Sequence, residues 1–222
     1  MRKSAPLLLA APLLLAACGG SHASARQRLV QQALAKTANA SSANVAFTVS
    51  AKGLMQTGRG DLDNRDHLVR LGFKPTSTGE PAAAVLSDTT SYYRFLGQGW
   101  LEVDTHNVSS SARLSDLEQP QYLLSHLRVQ RVTALGAGRF RVRASELAQP
   151  LELWIASTGY ITQLRMRVNT SLGTLIQTVK LSDFGQGVHL ATPQSISNTA
   201  TANADGSFSF ARASMQVSKG TH

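Results

Sequence analysis

The five residues Arg139-Phe140-Arg141-Val142-Arg143 alternate cation and apolar side chain without a break, and Leu164-Arg165-Met166-Arg167-Val168 repeats the pattern. Successive side chains of a strand point to opposite sheet faces, whereas a helix would scatter these residues around its circumference. The pattern therefore demands strands with one dry face and one wet, cationic face. Neighbouring strands must continue the dry face and something must cover it, because an open apolar sheet of this size would aggregate.

The same period of two runs through most of the chain. Val45, Phe47, Val49 and Ala51 alternate with Ala46, Thr48, Ser50 and Lys52, and a return strand punctuated by Gly58 and Gly60 ends at Asp61-Leu62-Asp63. Val69, Leu71 and Phe73 predict another strand, Ala82 to Leu86 a further one, and Tyr92 to Leu96 with Trp100 to Val103 a hairpin about Gly97-Gln98-Gly99. Val129 to Leu135, Arg139 to Ala144, Leu151 to Ala156, Tyr160 to Asn169 and Leu172 to Leu181 follow with short turns, which implies an antiparallel meander. Alternation assigns Phe47, Val49, Tyr93, Phe95, Trp100, Leu151, Leu153, Leu164 and Met166 to the dry face as candidate cavity-lining residues. A slip of one residue inverts any strand's contribution.

Two segments break the period. Ser24 to Asn39 reads as a helix with Leu29, Val30, Ala33 and Leu34 at helical spacing, and Ser109 to Leu127 turns helical around Leu114, Leu117, Leu123 and Leu124. A sheet of about ten strands tends to curl, and these short helices are its only lid. The expected class is α+β: a curved antiparallel half-barrel closed over a few helices, spanning residues 25–193. The segment from Gln194 to Ser207 has little to bury and is expected to be disordered within a polar tail, 194–222; "FSFARASMQV" offers one edge strand at most.

The N-terminus sets the compartment. Arg2 and Lys3 precede an apolar run, Ala5 to Ala17, that is too short for a bilayer-spanning helix of roughly 20 residues and carries Pro6 and Pro12. This is signal-peptide anatomy, residues 1–17. The run ends at Leu15-Ala16-Ala17-Cys18, with the only cysteine of the chain. That tetrad resembles the bacterial lipobox. The resemblance implies cleavage before Cys18, a diacylglyceryl thioether with palmitate-type chains on its sulfur, an acylated tether over residues 18–24, and an extracytoplasmic protein anchored to the cell membrane. Two or more acyl chains suffice for stable anchoring. A single cysteine excludes disulfides and paired-cysteine zinc sites within the chain.

Without Arg2 and Lys3, 20 basic residues face 13 acidic ones. Outside the cytoplasm such an excess favours anionic lipid over nucleic acid. Catalysis finds no support: no Gly-x-Ser-x-Gly elbow is present, and His67, His106, His126 and His189 follow no metal-ligand rhythm. Asp66-His67 and Asp104-Thr105-His106 could be read as acid–base dyads, yet adjacent residues on a strand point to opposite faces. "DLDNRD" lacks the turn glycine and closing glutamate of a calcium loop, and no glycine loop for phosphates opens a helix. The expected protein is not an enzyme and needs no cofactor or metal.

The ordered set of the lipobox, "NVAFTVSAKG", "GRGDLDN", "GQGWLEVD", "PQYLLSHL", "LELWIASTGYITQLRMRV" and "VKLSDFGQGVHLATP" resembles the LppX/LprG type of lipid-carrier lipoprotein, within the broader LolA/LolB-like fold. The resemblance implies a curved sheet over helices around an apolar cavity that holds a lipid or glycolipid, with no chemistry performed. Such a cavity has a physical warrant, since moving a chain of about 16 carbons into water costs roughly 13 kcal/mol at 0.8 kcal/mol per methylene. The alternative is the same anchored fold with a filled core, acting as an interaction or sensory module on another envelope protein.

Overall fold

The computed structural model describes residues 24–52, 54–74, 81–170, 173–205 and 207. Cys18 and its expected leader, residues 75–80, the expected turn at Ser171 and the segment "FSFARASMQV" lie outside the described residues.

Among the described residues three helices and twelve strands follow in chain order. Helix α1 (Ala25–Ala38) is capped by Ser24, whose hydroxyl accepts the Gln27 N–H at 3.1 Å. Strands β1 (Ser42–Ala51), β2 (Leu54–Asp63), β3 (Leu68–Phe73), β4 (Pro81–Leu86), β5 (Thr90–Phe95) and β6 (Trp100–Asp104) form the first half of the sheet. Two short helices follow, α2 (Ser110–Leu114) and α3 (Pro120–His126), split where Pro120 starts a new first turn. The second half holds β7 (Val129–Gly136), β8 (Arg139–Ala144), β9 (Leu151–Ile155), β10 (Ile161–Thr170) and β11 (Gly173–Ser182), and a last strand, β12 (Ile196–Thr201), follows.

All twelve strands make one open sheet in the order β12-β6-β5-β4-β3-β2-β1-β11-β10-β9-β8-β7. Each half is an antiparallel meander, as its short turns dictate. The halves meet where β1 pairs with β11, Phe47 opposite Val179 and Val45 opposite Leu181. Ladder register then fixes one inner face across the sheet: Phe47 lies beside Gly58, Gly58 beside Phe73, Leu164 beside Leu153, and Leu153 beside Phe140.

The sheet curls around the helical layer. Gln27 Nε2 donates to the Val129 carbonyl at the β7 edge, and ten residues along α1 the Thr37 carbonyl accepts from Asn64 Nδ2, beyond β2. Those attachment points stand six strand intervals apart in the sheet, about 28 Å if it were flat, yet about 15 Å apart along the helix. Gly60 marks a close approach: a Cβ there would sit 1.7 Å from the Arg70 carbonyl oxygen, so only glycine admits this contact of β2 and β3.

The C-terminal segment corrects the expectation of disorder at 194–207 and extends the folded unit beyond residue 193. After β11 the chain crosses the outer face, where Leu190 and Val188 cover Leu68, Val85 and Trp100. It then adds β12 parallel to β6. Its polar composition hid this because an edge strand needs few buried side chains: backbone bonds such as Ala202 N–H to Asp104 O, 2.8 Å, supply the pairing, and only Ala200 and Ala202 pack on Leu101 and Val103. Asp63 clasps the crossing segment. Although burial opposes its charge, the Leu190 and Arg65 backbone N–H groups it accepts hold its carboxyl below the usual range.

Candidate functional site

Three regions carry chemistry: the space under the helical layer, a pocket at its β5–β6 end, and a cationic groove on the opposite face.

Phe47, Leu151, Leu153, Leu164 and Met166 all lie on the inner face within one core, joined from the helical layer by Leu114, Leu117, Leu123 and Leu124. Val49 and Tyr93 border it half-buried. Phe95 packs with Leu101 and Val103 at the far end of the same face. Trp100 does not belong with them. It pairs with Arg94, one step out of phase with the Tyr93–Leu101 pair, so its ring lies outside, under the Arg94 guanidinium at 5.2 Å. Within β6 the buried Leu101 and Val103 alternate with Trp100, Glu102 and Asp104, so Trp100 shares the outer face with the acids, and its apolar ring alone had suggested otherwise.

The β5–β6 pocket, about 260 Å³, is bounded by Ser91, Tyr93 and Thr105 from the sheet, by Arg113, Asp116 and Gln119 from the α2–α3 segment, and by Asp205 beyond β12. Arg113 is its cation, but its donors are already taken. Nε gives to the Val108 carbonyl at 3.3 Å, Nη1 to Asp88 O and Nη2 to Thr105 O, and the guanidinium lies 5.4 Å from the Tyr122 ring centre. Burial pushes Asp116 up to about 6, and burial with the neighbouring Asp116 charge pushes Glu118 up to about 8. Tyr93 is raised by burial and then by both carboxyls. Thr105 Oγ1, Gln119 Oε1 and both amide atoms of Gln121 are buried without a hydrogen-bond partner among the described residues.

On the outer face Arg139, Arg141, Arg165 and Arg167 surround Glu152 in a groove of about 330 Å³. Arg139 donates to Glu152 at 2.6 Å and Arg141 at 3.1 Å. Burial opposes the Glu152 charge, but these two arginines hold its carboxyl below the usual range. Arg139 also stacks on Trp154 at 4.9 Å. Arg165 and Arg167 have no ion-pair partner among the described residues, so the groove stays strongly positive. The alternation of β8 and β10 predicts this face directly.

Of two histidine groupings, one was invisible in the sequence and the other joins the ends of the Asp104-Thr105-His106 triplet. His189, brought in by the crossing segment, stands 3.2 Å from Asp66 and 3.5 Å from Asp63, and His106 Nδ1 lies 2.6 Å from Asp104. The first fastens the crossing segment and the second caps the end of β6. Among the described residues no helix is long and apolar enough to cross a membrane.

No family model matches the chain, and no curated protein matches it. Among solved structures it is similar to LprF from Mycobacterium bovis, at 15% identity over 76% of this chain and 96% of that one, TM-score 0.40. An uncharacterized conserved protein from Thermus thermophilus is similar at 13% identity over 79% and 98% of the two chains, TM-score 0.45. A LolA superfamily protein from Nitrosomonas europaea is similar at 12% identity over 76% and 94%, TM-score 0.34.

Proposed function

We propose that this chain is an extracytoplasmic lipoprotein, anchored through acylated Cys18, that binds the acyl part of a lipid or lipidated molecule between its sheet and its helical layer and catalyses nothing. The observation that carries the reading is the state of that layer. Gln121 is 1% exposed, and neither its amide oxygen nor its nitrogen has a partner among the described residues. Each such buried orphan costs about 1–3 kcal/mol, which offsets part of what burying the leucines of α2 and α3 contributes to closure. Lifting them wets these polar groups and opens the continuous apolar face from Phe47 to Leu153. Acyl chains occupying that face offset the exposure. The arginine groove, on the other side of the sheet, steers the molecule to anionic membrane.

A second reading has its own support. Leu62, Leu71, Leu86, Leu151 and Leu153 are fully buried by other side chains, which is the filled core of an interaction module acting on an envelope partner.

The deciding experiment purifies the domain without residues 1–18 from a lipid-rich bacterial host, free of detergent, for native mass spectrometry and lipid extraction. A stoichiometric acyl-lipid adduct supports the carrier; a clean apo mass with no uptake of added fluorescent lipid leaves the interaction module. In the full chain, Cys18→Ala abolishes labelling by an alkynyl palmitate analogue and releases the protein from the membrane fraction if the anchor is real.

A further inference from the structure

The pocket at the β5–β6 end is acidic inside a chain of net charge +9. Asp116 and Asp205 line it, Glu118 stands next to Asp116 in the same segment, and the only lining cation among the described residues, Arg113, is spent on three backbone carbonyls. Asp116 and Glu118 are half-buried, and a carboxylate so placed is costly to keep charged. What the pocket leaves unsatisfied is mostly acceptor capacity: Gln119 Oε1, in a residue 7% exposed, lacks a partner, Thr105 Oγ1, in a residue 8% exposed, lacks one too, and Asp116 uses one oxygen to accept the Glu118 N–H at 2.9 Å. The Tyr93 ring closes the wall next to the main apolar core.

Orphaned acceptors, two lining carboxyls against one guanidinium whose donors are taken, and an aromatic wall select a donor-rich cation over phosphate or carboxylate. We infer that this pocket binds an organic ammonium group, with Asp116 as its counter-ion, Gln119 Oε1 and Thr105 Oγ1 accepting its N–H donors, and the Tyr93 ring beside it. The inference deepens the carrier reading, on which the placement of an attached alkyl tail under α2 and α3 rests. A volume of about 260 Å³ takes a head group and no tail. The preference runs against the protein's net charge, which draws anions, so surface attraction would produce the opposite order.

The test measures calorimetric affinity of the full chain, expressed as Cys18→Ser, for decylammonium, decanoate and decyl maltoside below their micelle concentrations, and for ethylammonium. The expected result is decylammonium bound at least tenfold more tightly than either of the other decyl amphiphiles, with the preference erased by Asp116→Asn and reduced by Gln119→Leu. Equal affinities, or a lead for decanoate or the maltoside, overturn the ammonium assignment while leaving the lipid reading intact. Ethylammonium binding that depends on Asp116, with no decyl amphiphile bound, keeps the ammonium site, makes its ligand a free amine and sinks the lipid reading. No binding by any of the four means that the pocket holds water only, and both readings fall.

Discussion

Thr37 on α1 and Ile161 at the head of β10 are joined across 124 residues by a buried hydrogen bond: the Thr37 hydroxyl accepts the Ile161 N–H at 2.9 Å while donating to the Ala33 carbonyl at 2.8 Å. One hydroxyl thus satisfies a strand-end donor that the sheet leaves over, and it fixes the height of α1 above the sheet. Thr37→Val keeps the shape and orphans the Ile161 N–H. The expected loss is about 1–3 kcal/mol, read as a lower urea midpoint at unchanged slope.

At Gly60 the backbone of β2 passes directly against the Arg70 carbonyl of β3. Gly60→Ala places a methyl carbon 1.7 Å from the Arg70 carbonyl, and the only relief is to part β2 from β3. Destabilisation of about 2–4 kcal/mol is expected, while Gly72→Ala, whose added carbon meets nothing closer than 3.7 Å, serves as the tolerated control. Thermal melts of the two variants check the contrast.

Glu118 makes the fold sensitive to alkali. Its carboxyl is raised to about 8, by burial first and by Asp116 second, so the folded state holds a proton that the unfolded state releases near 4.5. The stability this confers is complete below about pH 4.5 and is lost as pH rises through about 8. Glu118→Gln should flatten that decline, raising the melting temperature relative to wild type at pH 9 and changing it little at pH 5. Melting curves across that range would contradict the assignment if the two proteins ran parallel.

Glu152 partly neutralises the outer groove. Glu152→Gln removes the acceptor charge of two arginines and should strengthen co-sedimentation with phosphatidylglycerol vesicles by several-fold, at about 1 kcal/mol per unit charge near the surface. Arg165→Glu with Arg167→Glu should weaken it more than tenfold, and both effects should shrink at high salt. Vesicle binding indifferent to all three changes would remove the groove from the membrane.

Where side chains alternate strictly, the sequence was enough. The boundaries of α1 and of β8 to β10 follow from spacing alone, and so does the cationic outer face of Arg139, Arg141, Arg165 and Arg167. Trp100 was misplaced because its apolar ring outweighed its phase: it alternates with Leu101 and Val103 and so shares a face with Glu102. Strand β12 was missed because backbone pairing at an edge leaves no hydrophobic signature. The pocket around Asp116 was equally hidden, since its polar groups come from β5, β6 and the α2–α3 segment, and only their burial against one another makes them unusual.

The place of β1 has a consequence for time. It sits in the middle of the sheet, yet its partner β11 lies more than 120 residues downstream, Ser50 opposite Ile176 and Asn44 opposite Ser182. Until residue 182 has been made, one edge of β1 is an unpaired apolar template of the kind that invites association with other chains. Closing so long a loop before its contacts reward it makes assembly slow. The two halves of the sheet can therefore join only once residue 182 has left the ribosome, and everything made before it must wait, half-paired, for that strand.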